Sequence, residues 1–150
     1  MSRRILVIED NPQNLELMTY LLRAFGYITL TATDGVEGIE VVRREKLDLI
    51  ICDVHLPRVD GYEVAQQLKR DPMLRRIPLV AVTALAMVGD REKVLAAGFD
   101  GYIDKPITPE IFVKQVEAFM CIDSPSQKGA ALLERRSSVN PEGSKPLAGG

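Results

Sequence analysis

The hydrophobic positions of the chain fall into two kinds of segment, which alternate between residues 5 and 119. Short runs rich in β-branched residues predict strands, and segments with apolar residues every three or four positions predict helices. Three of the runs are apolar throughout, as is typical of parallel strands covered by helices on both faces. The predicted strands are Ile5–Ile8, Ile28–Thr31, Leu49–Cys52, Leu79–Val82 and Gly101–Ile103.

The segments between the predicted strands carry start and stop signals of helices. The first helix begins at Asn11-Pro12, because Asn caps a helix and Pro suits its first position, and Gly26 ends it. The fourth helix ends at Gly98, and Thr108-Pro109 begins the fifth. The apolar positions that mark the five helices are Leu15, Met18, Leu22 and Phe25; Val36, Ile39 and Val42; Val64, Ala65 and Leu68; Val94, Leu95 and Ala97; and Ile111, Phe112, Val116 and Phe119.

Five strand–helix units in succession predict an α/β fold, a doubly wound (βα)5 sandwich with a five-stranded parallel sheet and right-handed crossovers. Ligands of such sheets bind beyond the carboxyl ends of the strands, at the point where the strand order reverses. We therefore expect the functional residues of this chain at those strand ends.

The composition changes after Cys121. Residues 122–150 are rich in Ser, Pro and Gly and contain no aromatic residue, which predicts a flexible tail after a folded domain of residues 1–121. The only other cysteine is Cys52, far away in the sequence, so the pattern indicates neither a disulfide framework nor a zinc site.

Charge and hydropathy exclude several classes of protein. The net charge of −2 argues against a nucleic-acid partner, which requires a clustered excess of Lys and Arg. No apolar run is long enough to cross a bilayer, and the apolar stretch near the N-terminus is too short for a signal peptide. We therefore expect a cytoplasmic protein without a membrane partner.

Polar side chains follow four of the five predicted strands. Glu9-Asp10 comes after the first strand, Asp53 after the third, Thr83 after the fourth and Lys105 just past the fifth. Three carboxylates at one edge repel one another and need a cation, and hard oxygen ligands open to water suit Mg²⁺. A metal-bound carboxylate beside a lysine and a threonine is arranged to stabilise a phosphoryl group attacked by an aspartate, with Asp53 as the nucleophile.

Each of these residues also has a purely structural interpretation. Glu9-Asp10 would supply acidic residues at the start of the first helix, Thr83 would cap the fourth helix, and Lys105 would be a solvated surface charge. Asp53 fits such an interpretation least, because an unpaired carboxylate at the end of a buried strand is costly.

Four motifs occur in order along the chain. They are Ile5-Leu6-Val7-Ile8-Glu9-Asp10-Asn11, Asp53-Val54-His55-Leu56-Pro57 with Asp60-Gly61, Val82-Thr83-Ala84, and Tyr102-Ile103-Asp104-Lys105-Pro106. Together they resemble the receiver (CheY-like) domain of two-component response regulators, over roughly residues 3–121. The residues around Thr83 and after Lys105 are most similar to DivK-type single-domain receivers and to the receiver modules of hybrid kinases.

The resemblance implies a flavodoxin-like architecture and a role as a phosphoacceptor in a phosphorelay, not as an enzyme. Asp53 would accept a phosphoryl group from a phosphohistidine on a histidine kinase or a histidine phosphotransfer protein. Asp10 and Asp53 would bind Mg²⁺ directly, Glu9 would act through a bound water, and the backbone carbonyl of His55 would complete the protein ligands.

The resemblance also implies how the signal leaves the site. Thr83 would donate a hydrogen bond to the phosphoryl group, Lys105 would pair with it, and Tyr102 would turn inward when Thr83 moves. The Lys105-Pro106 bond is expected to be cis. A downstream protein would bind the face of the fourth helix, fifth strand and fifth helix, and the chain would act as a stand-alone receiver, a monomer or weak dimer. The structural interpretation of Tyr102 is an edge-strand aromatic with its hydroxyl in solvent.

Three other classes of function fit these residues less well. A phosphatase of the haloacid-dehalogenase type needs a second acid two residues after the nucleophile, and His55 holds that position. A flavodoxin-like cofactor binder needs a phosphate loop where Glu9-Asp10-Asn11 would repel a phosphate. A receiver that binds partners without phosphorylation is less favoured, because every residue of the acceptor site is present.

Overall fold

The computed structural model of the chain describes residues 2–84 and 88–121, in which five strands and five helices alternate. Every predicted strand agrees with an observed one to within one residue at each end. The predicted tail, residues 122–150, lies outside the described residues. The elements are β1 (Arg4–Ile8), α1 (Pro12–Ala24), β2 (Ile28–Ala32), α2 (Gly35–Arg44), β3 (Leu49–Asp53), α3 (Gly61–Arg70), β4 (Leu79–Thr83), α4 (Asp90–Ala97), β5 (Gly101–Asp104) and α5 (Pro109–Cys121).

The strands form one parallel sheet in the order β2-β1-β3-β4-β5. The predicted five-stranded parallel sheet is thereby confirmed. The chain leaves β1 towards β2 on one side and returns to β3 on the other, so the strand order reverses between β1 and β3. Ile8 lies opposite Cys52 across this pair, and Asp53 lies opposite Val82. The strand ends at the reversal therefore carry Glu9-Asp10 and Asp53.

Both faces of the sheet are covered. Leu6 and Ile8 of β1 pack in one cluster with apolar residues of α2, α3 and α4. Successive residues of a strand point to opposite faces, and Ile5 and Val7 between them are also fully buried. This double burial explains why the central strands are apolar at every position.

Some of the helix predictions are confirmed and others are wrong. The Asn11 side chain accepts a hydrogen bond from the Asn14 amide at 2.9 Å, which caps α1 as predicted. Three residues that were predicted on apolar helix stripes are exposed: Phe25 by 64%, because α1 ends at Ala24, Leu95 by 49% and Ile111 by 46%. Thr83 does not cap α4, since Gly89 holds the cap position of that helix.

By its internal contacts the chain divides within α5 into the units Met1–Gln115 and Val116–Gly150. The first unit contains the sheet, helices α1 to α4 and every predicted site residue. In the second unit, residues 116–121 continue α5. None of the helices in the described part of the chain is both long and apolar enough to cross a bilayer.

Candidate functional site

Three carboxylates meet at the carboxyl ends of β1 and β3. Oxygen atoms of Glu9, Asp10 and Asp53 all lie within 4.8 Å of one another. Glu9 and Asp53 are buried, whereas Asp10 is exposed to solvent. The cluster therefore reaches solvent through Asp10.

Glu9 extends the sheet instead of capping α1. Its amide donates to the Ala32 carbonyl at 3.0 Å, which continues the β1–β2 ladder by one residue and turns the side chain inward. Its Oε2 accepts a hydrogen bond from the Asn11 amide at 3.1 Å. Its Oε1 is buried and accepts no hydrogen bond from the described residues. The capping interpretation of Glu9 is therefore wrong, because Asn11 has that task.

The pKa of Glu9 is raised to about 7, mainly by burial and next by repulsion from the Asp53 carboxylate. The Asn11 amide and the Lys105 ammonium oppose the shift without cancelling it. A buried carboxylate with a raised pKa and an oxygen that accepts no hydrogen bond is short of positive charge. The site therefore favours binding of a cation.

Lys105, which directly follows the edge strand β5, supplies part of the positive charge. Its Nζ lies 3.0 Å from Asp53 Oδ2, to which it donates, and 3.4 Å from Glu9 Oε1. Burial lowers the pKa of Lys105, but the hydrogen bond and charge of Asp53 outweigh burial and hold the pKa above its usual value. The Lys105-Pro106 peptide bond is cis. Lys105 is thus part of the site and not a solvated surface charge.

Replacing Lys105 by methionine is expected to destabilise the protein by about 2 kcal/mol in the absence of divalent cations. Breaking a fully buried ion pair costs about 3–5 kcal/mol, and the value is smaller here because the Lys105 side chain is 22% exposed and Glu9 can take up a proton. Urea unfolding of K105M and wild type measures the difference. The control K114M removes an exposed lysine of α5, and an equal loss in both variants would contradict the expectation.

The loop from β3 to α3 is fixed at both ends. Its start is held by the His55 amide, which donates to Asp53 Oδ1 at 3.0 Å, while the His55 side chain is exposed. At its end, a Cβ on Gly61 would collide with the Asp53 carbonyl oxygen and Val54 Cα. The Gly61 amide donates to the Val54 carbonyl at 2.9 Å. Only glycine therefore lets α3 begin this close to the end of β3.

The middle of the same loop is held by an ion pair that sequence analysis missed. Arg58 has a φ of +67°, a left-handed conformation that is strained for a non-glycine residue. Its guanidinium lies 3.1 Å from Asp34 Oδ1, at the cap of α2. The amide of Glu37 and then Arg58 hold the pKa of Asp34 below its usual value. The paired motifs Asp34-Gly35 and Asp60-Gly61 mark the caps of α2 and α3 in the sequence but do not report this ion pair.

Thr83 and Tyr102 lie on the two strands beyond β3. Thr83 is the buried last residue of β4, and its carbonyl accepts from the Lys105 amide at 3.0 Å. Tyr102 is half-buried on the edge strand β5, packs against the core cluster, and has the Arg91 guanidinium 5.6 Å from its ring centre. The Tyr102 ring therefore contacts the core cluster and Arg91, and the side chain is not fully exposed to solvent.

The residues at the strand ends fit a magnesium ion. The donor set consists of carboxylate oxygens, which are the ligands that Mg²⁺ prefers, and it includes the buried Glu9, whose Oε1 accepts no hydrogen bond from the described residues. Asp10 leaves the cluster open to water, and Mg²⁺ keeps several waters in protein sites. The fit rests on the chemistry and placement of these three side chains.

The sequence matches the family described as the response regulator receiver domain, over residues 5–117. It is 39% identical over 120 residues to the polar-differentiation response regulator DivK of Brucella anthropi, a similarity that covers 80% of this chain and 98% of that protein.

Two solved structures are similar to the chain as well. One is the receiver domain of a sensor histidine kinase from Pseudomonas aeruginosa with a magnesium ion coordinated in the active site cleft, at a TM-score of 0.73 and 32% identity over 80% of this chain and 98% of that one. The other is a receiver domain of a Saccharomyces cerevisiae response regulator in complex with a histidine phosphotransfer protein, at a TM-score of 0.74 and 25% identity over 81% of this chain and 90% of that one. By sequence and by fold, the chain belongs to the response regulator receiver domain family of two-component signalling.

Proposed function

We propose that Asp53 is the phosphoacceptor and that Glu9, Asp10, Asp53 and the His55 backbone carbonyl hold the Mg²⁺ ion. The observation that carries this proposal is the pairing of Asp53 with Lys105 inside a cluster of three carboxylates at the strand-order reversal. When bound, Mg²⁺ supplies positive charge that stabilises the transferring phosphoryl group.

The transfer step needs a nucleophile that is aimed and kept ionised. Oδ2 of Asp53 is held by Lys105 and Oδ1 by the His55 amide. A carboxylate oxygen of Asp53 would form the new bond to phosphorus as the bond from phosphorus to the donor imidazole breaks. The leaving imidazole nitrogen keeps the electron pair. Lys105 would then pair with the added phosphoryl charge, and Thr83 would donate a hydrogen bond to it.

The donor would be a phosphohistidine on a sensor histidine kinase or a histidine phosphotransfer protein. In the similar yeast complex, a histidine phosphotransfer protein is bound to the receiver domain. The chain would catalyse only its own phosphorylation and dephosphorylation and would have no separate substrate. We place this activity in the cytoplasm, in a monomer or weak dimer.

The output would be a change in protein–protein contacts on the face of α4, β5 and α5. Thr83 and Tyr102 connect the acceptor strand to that face, because β4 pairs with both β3 and β5. Tyr102 would turn inward when Thr83 moves towards the phosphoryl group. A ligand shifts such an equilibrium only by contacts that differ between the two states, and the contact between Arg91 and Tyr102 is one that would differ.

Transfer from a protein donor tests the proposed function directly. A phosphotransfer protein labelled with radioactive phosphate on its histidine is mixed with the full chain and Mg²⁺. We expect label to move to this chain within minutes and to be lost in alkali, as aspartyl phosphates are, while chelation of Mg²⁺ stops the transfer. Label that stays on the donor with every histidine phosphoprotein tried, together with no labelling by acetyl phosphate, would overturn the proposal.

Magnesium is expected to stabilise the folded protein through the carboxylate cluster. A ligand at ten times its Kd adds about 1.4 kcal/mol to the free energy of unfolding. Thermal unfolding with and without MgCl₂, at matched ionic strength, measures the effect. D10N changes only the exposed carboxylate of the cluster and is expected to lose most of the increase, and an increase that D10N retains would contradict this prediction.

A further inference from the structure

The charged side chains of the first unit separate towards opposite ends of the sheet. In a parallel βα fold, helices end and strands begin at one edge, here called the amino edge, which lies opposite the acceptor site. Six basic residues at this edge are exposed, and their side chains make neither an ion pair nor a hydrogen bond with the described residues, unlike Arg23, whose Nε donates to Thr29 Oγ1. They are Arg3, Arg43, Lys46, Arg70, Arg75 and Arg76.

The carboxylates at the amino edge are too few to balance these charges. Glu45 and Asp100 form ion pairs with other basic residues, at 2.7 and 3.0 Å. Asp48 and Asp71 accept hydrogen bonds from backbone amides and pair with none of the six. Two acids against six exposed basic residues leave a positive excess on the edge, in a chain whose net charge is −2.

Helix stability explains only part of this arrangement. Arg43 and Arg70 lie in the last turns of α2 and α3, where a cation interacts favourably with the helix dipole. The other four lie outside the helices, as Arg75 and Arg76 do in the turn between α3 and β4. Their position has no such structural reason.

Exposed apolar side chains lie at the same edge. Phe25 and Ile28 flank the turn from α1 to β2, and Met73 lies in the turn from α3 to β4. These side chains are 64%, 44% and 82% exposed, respectively. The strands β2 and β4 are three positions apart in the sheet, which separates the two apolar sites by about 14 Å.

Contrary to the expectation from the sequence that the protein has no membrane partner, we propose that the amino edge binds the anionic phospholipid headgroups of a membrane surface. Arginine, which makes up five of the six basic residues, binds phosphate oxygens through two parallel hydrogen bonds. The basic residues come from several segments spread along the edge, so they match an extended sheet of headgroups better than one discrete anion. Phe25 and Met73 would enter the boundary between headgroups and acyl chains.

The acidic site would not prevent this binding. A five-residue strand spans about 17 Å, which exceeds the Debye length of about 8 Å at physiological ionic strength. A flat surface at the amino edge would therefore experience little of the charge at Asp10 and Asp53. The acceptor site would face away from the bilayer and stay accessible to a phosphohistidine donor.

Lipid is favoured over the two other anionic partners. A nucleic-acid backbone and an acidic protein segment would both pair with the arginines, but a nucleic-acid backbone has no apolar layer for Phe25 and Met73. The one pocket whose lining is described runs along α1 from Glu16 to Ala24, and none of Arg75, Arg76 and Met73 lines it. An extended surface of this kind suits a planar partner.

Co-sedimentation of the full chain with vesicles tests the proposal. The vesicles contain phosphatidylcholine alone or with 30% phosphatidylglycerol. We expect the protein to pellet with the anionic vesicles at low salt, to remain in solution with pure phosphatidylcholine, and to be released by 0.5 M NaCl. No pelleting with anionic vesicles at low salt would overturn the proposal.

Matched variants separate the amino edge from overall charge. R75Q/R76Q is expected to weaken binding about 25-fold, because each basic residue near an anionic surface contributes about fivefold. K93Q/K114Q makes the same change in net charge away from the edge, on α4 and α5, and should bind like wild type. Equal weakening of both double variants would contradict the proposal.

A third variant distinguishes lipid from the other partners. M73S is expected to weaken vesicle binding severalfold and to leave binding to double-stranded DNA and to poly-L-glutamate unchanged. Binding to DNA or polyglutamate at concentrations where vesicles do not bind would assign the edge to that partner instead. None of these binding measurements needs phosphorylation. Labelling of each variant by acetyl phosphate tests the proposed function separately, so a failure of membrane binding is distinguishable from a failure of the proposed function.

Discussion

Asp53→Asn is expected to abolish labelling by acetyl phosphate and by a phosphohistidine donor. The amide has nearly the shape of the carboxylate but cannot form a stable acyl phosphate. Intact-mass spectrometry before and after incubation with acetyl phosphate and Mg²⁺ gives the result: wild type gains one phosphoryl group and D53N gains none.

The same variant is expected to be at least as stable as wild type without Mg²⁺. Asp53 is buried beside Glu9, whose pKa its charge helps to raise to about 7. Removing one of two buried like charges relieves their repulsion, and Lys105 keeps Glu9 as a partner at 3.4 Å. The control D71N changes a carboxylate outside the site that accepts from the Met73 amide, and it should be labelled like wild type. Stoichiometric labelling of D53N would contradict the assignment of Asp53.

Gly61→Ala is expected to lower the free energy of unfolding by about 3 kcal/mol, at the upper end of typical overpacking costs. The new methyl group would collide with backbone atoms of Asp53 and Val54, and backbone cannot rotate away as a side chain can. The start of α3 must therefore move off the acceptor strand. Urea unfolding measures the loss, and slower acetyl phosphate labelling of the folded variant is expected to accompany it.

Gly26→Ala is the control for the loss of a glycine. Gly26 has a φ of +92° and open space around the position of a Cβ. The substitution therefore costs only the strain of a left-handed alanine, about 1–2 kcal/mol. G61A should therefore be the more damaging variant. A smaller loss for G61A than for G26A would show that α3 shifts at little cost.

The fold could be predicted from the sequence because burial on both faces of the sheet leaves continuous apolar runs. Leu49–Asp53 and Leu79–Thr83 are buried at every position, and their ends were predicted to within one residue. The convergence of the strand ends followed from the parallel arrangement. The structure brings Glu9, Asp10, Asp53 and Lys105 together as that reasoning required.

Other features depend on contacts between distant segments and could not be predicted. Phe25 has the spacing of a core residue but follows the last turn of α1 and is exposed. The pair of Arg58 with Asp34 joins residues 24 positions apart, and no local pattern reports it. The clustering of basic residues at the amino edge was hidden because a net charge of −2 averages over both ends of the sheet.

The paired groups of the site, Glu9, Asp53 and Lys105, lie at the carboxyl ends of β1, β3 and β5, in chain order. During synthesis, Asp53 is therefore made 52 residues before the lysine that pairs with it. β5 is also an edge strand, which pairs only with β4 in the described sheet. The nascent protein is therefore expected to reach signalling competence only when β5 has joined the sheet, so a truncated or half-made copy would carry Asp53 and yet take no phosphoryl group from a donor.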